Sequence, residues 1–358
     1  MSETGRILVD TATRLFQNIV TPRELARAEA GEWPGDVWNA VEELGLPLAL
    51  VPEDQGGFGI DPVEALAAIR VAAAFALPLP LGETMLANRL LAGAGIDAPG
   101  GPLSVASAAI PTGRTARPLG LVPENGGWRL TGVARRVPWG GKVTGVVVVA
   151  EAAGVPHVAL VPAGRFDVAP GTNLAGEPRD DLTFGCLLEP SQVAPAAAGG
   201  TPEDLHAAGA ALRSIQIAGA LARVLEMTVQ YANERSQFGR PIGKFQAIQQ
   251  SLAVLAGQTA AASAAADLAA EAITAPAGDH RIAVAKARTG EAAGVAAAIA
   301  HQVHGAIGFT HEHGLHHLTR RLWSWRDEFG NDAEWSRRLG HAAIAAGADG
   351  LWPMVTAA

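Results

Sequence analysis

The sequence predicts a mostly α-helical chain with a β domain set between two helical blocks, and three observations carry that reading. Apolar residues recur at three-to-four spacing near both ends of the chain, the mark of one-sided helices. Glycine, proline and valine rise after Pro99, where those stripes vanish, and an Ala-Gly spacer at 196–200 marks the return to helix. The expected organisation is an N-terminal helical domain over 1–99, a β domain over 100–195 and a C-terminal helix bundle over 200–358. With 358 residues, 49% of them apolar and 17% charged, the chain is long enough to bury the cores this requires.

In the first block Leu8, Ala12, Leu15 and Ile19, then Val37, Val41 and Leu44, form the apolar stripes. Pro52 with Gly56, Gly57 and Gly59 stops regular structure before Asp61 and Pro62 open a new helix. The apolar run from Val63 to Leu81 contains Glu64 and Arg70 and closes on Pro78 and Pro80. It is too interrupted for the roughly 20 residues that span a bilayer, so it reads as a buried helix.

The middle block alternates short runs, WRLTG, VTGVVVVA and HVALVPA, with turns. Asn125-Gly126-Gly127 is a hairpin signal, and Val146–Val149 is a short β-branched run that suits a covered strand. The third block starts near Pro202 and Glu203, with Leu212, Ile215, Gly219, Ala222, Leu225 and Val229 as its expected stripe. Two alanine-rich segments follow, Ala253–Ala275 and Ile282–Ala300, parted by Pro276-Ala277-Gly278-Asp279. Small side chains let such helix axes approach closely.

A net charge of −8 and no cluster of cations argue against a nucleic-acid partner. Cys186 is the sole cysteine, so no intrachain disulfide can form. Neither a basic-apolar leader nor a lipidation motif opens the chain, and the expectation is a cytoplasmic protein with no membrane partner. Gly-x-Gly-x-x-Gly, Walker and Gly-x-Ser-x-Gly motifs are all missing, which removes the support for a dinucleotide fold, a nucleotide triphosphatase or a serine hydrolase.

Two stretches carry candidate chemistry. The first, HQVHGAIGFTHEHGLHHLTRR from His301 to Arg321, places one carboxylate, Glu312, among histidines and glycines. By itself Glu312 is open to two readings, a helix-start acid favoured by the dipole or a catalytic base. His311, His313, His316 and His317 invite a metal, yet no familiar ligand spacing is completed and the expectation is no metal site. The second stretch is YANERSQFGRPIGKFQAIQQSLA, residues 231–253. Arg235 offers a forked, permanently charged donor to a phosphate, Gln237 an amide for a ring or ribose, and Phe238 a flat apolar face. An Arg and a Phe that merely lock a helix hairpin account for the same residues.

RSQFGRPIGKFQ closely resembles the signature of the acyl-CoA dehydrogenases, flavoproteins that desaturate acyl thioesters. LGLPLALVPEDQGGFGID is similar to their N-terminal turn, and HQVHGAIGFTHEH to their late Gln-x-x-Gly-x-x-Gly-Phe-x-x-Glu segment, so the likeness spans nearly the whole chain in the right order. The resemblance implies the three-part subunit of that family, FAD as cofactor and an acyl-CoA substrate. It also implies an electron-transfer flavoprotein as acceptor and a homo- or hetero-oligomer built as a dimer of dimers. Arg235, Gln237 and Phe238 would contact the adenine-diphosphate half of FAD across a subunit boundary, with Gln302 and Gly305 on its other side. Glu312 would be the catalytic base, its basicity raised by a water-poor pocket. Members that take the base from the preceding helix carry it at a position near Gly209 here, and no acid lies between Gly209 and Gly219.

The chain also departs from the family pattern. SVASAA, Ser104 to Ala109, stands where many relatives carry a Thr-Glu-Pro loop, and Arg136-Val137-Pro138-Trp139 replaces a Trp-Ile-Thr element beside the flavin ring. Pro138 brings no N–H donor there. Arg321 replaces an acid, and His313-Gly314 a Tyr-Pro. Together these changes resemble a shorter bacterial branch, some of whose members form mixed oligomers in which one subunit type holds an incomplete flavin site. A non-catalytic partner subunit is the alternative this implies, and an acyl-CoA oxidase of the same fold is a further one, since oxygen access and no motif separates it from a dehydrogenase. The histidines either line the altered pocket wall or stand on solvated helix faces, the second being the leading expectation.

Overall fold

The structure is a computed structural model describing residues 2–107 and 119–356. Two compact units divide it: Met1–Ala68 with Pro78–Gly209 and Thr274–Ala277, and Ile69–Leu77 with Ala210–Ile273 and Gly278–Ala358.

The first unit opens with α1 (Glu3–Ile19), α2 (Pro22–Glu29) and α3 (Gly35–Glu43). Ser2 and Thr21 cap the first two through their hydroxyls, as short polar residues at a helix start do. Of the expected stripes, Ala12, Val37 and Val41 are buried. α4 (Pro62–Ala74) begins where the Pro52–Gly59 stretch ends. The apolar run to Leu81 is not one helix: α4 stops at Ala74, Ala76 takes a positive φ of 56°, and α5 (Leu81–Gly93) starts afresh. Pro78 and Pro80 cause the break, because each excludes helical backbone from the residue before it.

Two four-stranded sheets follow, made of β1 (Leu103–Ser107), β2 (Gly120–Glu124), β3 (Gly127–Pro138), β4 (Gly145–Ala152), β5 (Val155–Pro162), β6 (Phe166–Ala169), β7 (Arg179–Leu188) and β8 (Val193–Pro195). One runs β1-β4-β5-β8, with β1 and β4 parallel; the other runs β2-β3-β7-β6 and is antiparallel throughout. Leu130, Val137, Val146, Val148, Val161, Leu182 and Phe184 share one core cluster between them. β4 is covered on its other side by α5, so its four valines are all buried and do not alternate with polar residues. Asn125 and Gly126, with φ of 52° and 79°, join β2 to β3 in the doubly positive turn that suits the strands' twist.

The second unit contains most of α6 (Pro202–Glu234), then α7 (Gln246–Glu271), α8 (His280–His304), α9 (Leu315–Trp325) and α10 (Asp332–Thr356). The α6 stripe holds only in its first half. Leu212, Ile215 and Gly219 are buried, but Ala222 is exposed and Val229 largely so, while Leu221, Val224, Thr228 and Ala232 are buried instead. Two consecutive steps of three residues, 219 to 222 to 225, fall about 120° short of two full turns and carry the expected row off the packed face. At Gly219 an added Cβ would sit 2.0 Å from the Arg70 carbonyl oxygen, so glycine is what lets this helix approach its neighbour. α7 and α8 are each apolar and long enough to cross a bilayer, and here Ala262, Ala266, Ala292 and Ala296 are buried where the pair packs together.

Inside this unit Arg213 Nε meets Glu328 Oε2 at 2.7 Å with both side chains buried. Lys286, fully buried, donates through Nζ to the carbonyls of Arg326 and Gly330 at 2.6 and 2.7 Å. Burial pulls its amine down to about 7, against support from Glu328.

Candidate active site

α6 ends because Ser236-Gln237 and Arg240-Pro241 turn away as a small antiparallel hairpin, with Phe238 and Gly239 at its tip. Both tip residues have positive φ, 51° and 80°. Phe238 therefore sits where a side chain costs about 1–2 kcal/mol, and it is 91% exposed. Arg240 lies over the Phe245 ring at 4.3 Å, and Phe245 meets Phe238 edge-on at 6.2 Å. Opposite this hairpin α8 stops at His304, where Gly305 takes φ 65° and ψ −144°, a conformation open to glycine alone.

Between the two lies a cleft of about 610 Å³. Arg235, Gln237, Phe238, Gln302 and Gly305, which the sequence reading gathered from two stretches, all line it. The apolar wall is Ile242, Phe245, Ile248, Val303 and Ile307. Tyr231 and His304 complete it; both stand in the two stretches singled out from sequence, but neither was assigned a role. Their rings stack at 4.5 Å and 23°.

Arg235 is exposed at the cleft, and no carboxylate among the described residues pairs with it. His304 Nδ1 donates to the Ala300 carbonyl at 2.8 Å, leaving Nε2 a buried acceptor without a partner among the described residues. Burial also lowers the His304 pKa, which keeps the ring neutral. An uncommitted guanidinium, two carboxamides and flat apolar walls are the donor set an adenosine-diphosphate end requires, so these residues fit that half of FAD.

The segment expected beside the flavin ring is different. The backbone N–H groups of Arg136 and Gly141 donate to Asp181 and Asp180 at 2.9 and 2.7 Å, and those of Trp139, Gly140 and Lys142 to carbonyls of Pro178, Val137 and Trp139. Pro138 has no N–H, and its carbonyl accepts from Ser104 Oγ. The main-chain donors of Arg136 and of residues 139–142 are thus spent within the chain and Pro138 offers none, so these residues do not fit a flavin ring that needs a donor from them. Ser104 and Ser107 of the SVASAA segment belong to β1, and Ala108 and Ala109 lie outside the described residues.

Glu312 stands in the turn after Gly305–Phe309 and is exposed. The water-poor surroundings expected for it are not what this chain's residues provide. Its carboxyl is held below the usual range by its own backbone amide, by the Thr310 hydroxyl and by His311. Of the two readings for the neighbouring histidines, solvated faces do not hold for His301, His304 and His317, which are buried, and His304 lines the cleft. His301 Nε2 meets Thr319 Oγ1 at 2.9 Å, and its ring stacks on Phe309 at 4.2 Å. Only His311 of this group is exposed.

Comparison with known proteins places this architecture. Family models described as acyl-CoA dehydrogenase, N-terminal domain, and acyl-CoA dehydrogenase, C-terminal domain, match residues 2–100 and 207–333. The chain belongs to the acyl-CoA dehydrogenase family and is by that membership an oxidoreductase. It is 30% identical to acyl-CoA dehydrogenase FadE27 of Mycobacterium tuberculosis over 69% of this chain and 68% of that one. It is also 29% identical to acyl-CoA dehydrogenase IpdE2 of the same organism, over 94% of this chain and 96% of the relative. A chain of the ChsE4-ChsE5 complex from Mycobacterium tuberculosis superposes with a TM-score of 0.82 at 24% identity, covering 96% of this chain and 98% of that one, a likeness of fold.

Proposed function

We propose that the protein carries out FAD-dependent α,β-dehydrogenation of an acyl-CoA thioester, giving a 2-enoyl-CoA, with Glu312 removing the α-proton. The observation that supports this most is the convergence of Arg235, Gln237, Phe238, Gln302 and Gly305 on one cleft. Glu312 follows Gly305 within the same segment. Arg235 would meet the pyrophosphate, with Gln237 and Gln302 beside it and Phe238 against the base. When bound, FAD supplies the acceptor that takes the β-hydride as the α-proton leaves.

Glu312 starts as an exposed carboxylate and is ionised, as a base must be. A thioester chain covering it would strip its water and raise its proton affinity toward that of the reaction. On this reading the protein works in the cytoplasm as a dimer of dimers, passes electrons to an electron-transfer flavoprotein, and divides into domains over 1–99, 100–195 and 200–358. Glu312→Gln is expected to lower kcat by about 10³-fold with FAD content unchanged; full activity in that variant would sink the base assignment. Peroxide released without an added acceptor would turn the assignment to an oxidase.

A second reading is favoured by the committed donors of residues 136–142: a partner subunit that lends its Arg235 cleft to FAD seated mainly on another chain. The ChsE4-ChsE5 structure is of a two-component complex. Flavin absorbance per chain decides between the readings. One FAD per isolated chain removes the second, and flavin retained only with a co-expressed partner removes the first.

A further inference from the structure

We propose that Arg240 is a positioning residue of the nucleotide cleft: its guanidinium stands over Phe245 and fixes that ring against Phe238, so that the two rings form the corner that receives the base. This rests on the reading of the cleft as the seat of an adenosine-diphosphate end, and on nothing in the Glu312 turn. The Arg240 guanidinium carbon lies 4.3 Å from the Phe245 ring centre, inside the reach of a cation–π contact. Phe245 in turn meets Phe238 edge-on at 6.2 Å and 87°. Phe238 and Phe245 line the cleft together with Arg235, whereas Arg240 does not.

The two rings are held very unequally. Phe245, at the start of α7, packs against the buried cluster of Ala232, Ile242 and Val303. Phe238 is 91% exposed at a tip of positive φ, and the strands behind it are two residues each. A two-stranded hairpin is marginally stable by itself, and Phe245 is the ring that links this tip to the core. Arg240 pairs with Gln237 across the hairpin, and its side chain reaches Phe245 from there. It is exposed, and among the described residues no carboxylate pairs with it, so its charge is free for the ring. The face of an aromatic ring is its negative side, and a planar guanidinium stacks on it without needing a hydrogen bond. The two arginines flanking the tip therefore divide the ligand between them. Arg235 is placed for the diphosphate, and Arg240 acts on the base through Phe245.

The test titrates the whole chain with ADP and, separately, with adenosine, which lacks the phosphates. Binding is read by NMR at ring-labelled Tyr231, the only tyrosine, which lines the cleft. Arg240→Ala is expected to weaken both ligands by the same factor, about two- to fivefold, the size of an exposed cation–π contact. Arg235→Ala is expected to weaken ADP alone. Arg240→Lys, which keeps a cation for the ring, should recover most of the loss, and Arg240→Met, which keeps only the apolar stem, should not. In a Phe245→Leu background Arg240→Ala should cost nothing further, because the ring it acts through is gone.

Unchanged binding of both ligands in Arg240→Ala overturns the proposal. So does a loss confined to ADP, the mark of a direct phosphate contact, or an Arg240→Lys variant no better than alanine. A loss of the same size persisting in the Phe245→Leu background overturns it as well, since Arg240 then acts by another route. If Arg240→Ala fails to fold, Arg240→Met and Arg240→Lys decide, and equal affinities for adenosine in these two overturn it. The nucleotide reading fails separately. A wild-type chain whose Tyr231 signals ignore both ADP and adenosine removes the cleft's assignment and the proposal with it, whereas wild-type binding beside an unaffected Arg240→Ala removes the positioning alone.

Discussion

Two arginines borne by α6 are put to opposite uses. Arg213, within the helix, is 1% exposed and bonded to Glu328 across the unit; Arg235, one residue past its end, is exposed on a cleft with no carboxylate paired to it among the described residues. The first is a lock. Once two charges leave water together, each depends on the other, and removing one strands a buried ion. The second has its charge and donors uncommitted, which is the state a binding residue must keep until its anion arrives. The same side chain is thus structural or functional according to whether its partner is already in the chain.

The largest expected effect breaks the lock. Arg213→Ala removes the guanidinium bonded to the buried Glu328, and should cost about 3–5 kcal/mol in urea unfolding, whereas Arg213→Met with Glu328→Leu should cost far less. A small loss in the single variant would remove the contrast with Arg235. Next, Arg235→Ala should leave stability within about 0.5 kcal/mol yet weaken ADP or FAD binding by about 10- to 100-fold, the worth of about 1.5–3 kcal/mol for a bond to a charged group. Equal affinity in that variant would mean that Arg235 does not bind the nucleotide.

Lys286 sharpens the buried side of the comparison. Its folded pKa of about 7 lies below that of a free lysine, so the unfolded chain holds the extra proton between the two values. Stability should therefore rise with pH above about 7, by up to about 1.4 kcal/mol per unit, and Lys286→Met should lose that slope in unfolding measured from pH 7 to 10. The smallest effect belongs to the cleft rim. Phe238→Asn relieves a positive φ and should raise stability by at most about 1 kcal/mol, read as a small rise in Tm, while removing the ring weakens nucleotide binding.

Legibility differed by the range of the interaction. Asn125-Gly126 and the Val146–Val149 run were readable because turn geometry and covered-strand composition are local. The five cleft residues were readable because they sit in two short stretches that resemble a family signature. The α6 stripe failed past Gly219, since spacing alone did not show which side of a long helix packs. The exposure of Glu312 and the burial of His301, His304 and His317 were not legible for a related reason: which face of a turn meets a neighbour is decided by helices far away in the chain.

The sequence by itself determined the order of helices and strands, the family, and the residue types offered to a nucleotide, because periodicity, turn chemistry and motif are properties of short segments. Tertiary structure decided that Arg213 meets a glutamate 115 residues away while Arg235 meets none. It likewise decided that Lys286 is buried under two carbonyls, that Arg136 and residues 139–142 spend their main-chain donors internally, and that His313 touches the cleft wall. Each of these depends on which distant groups arrive at the same place, and burial then sets what a charge or a proton costs there.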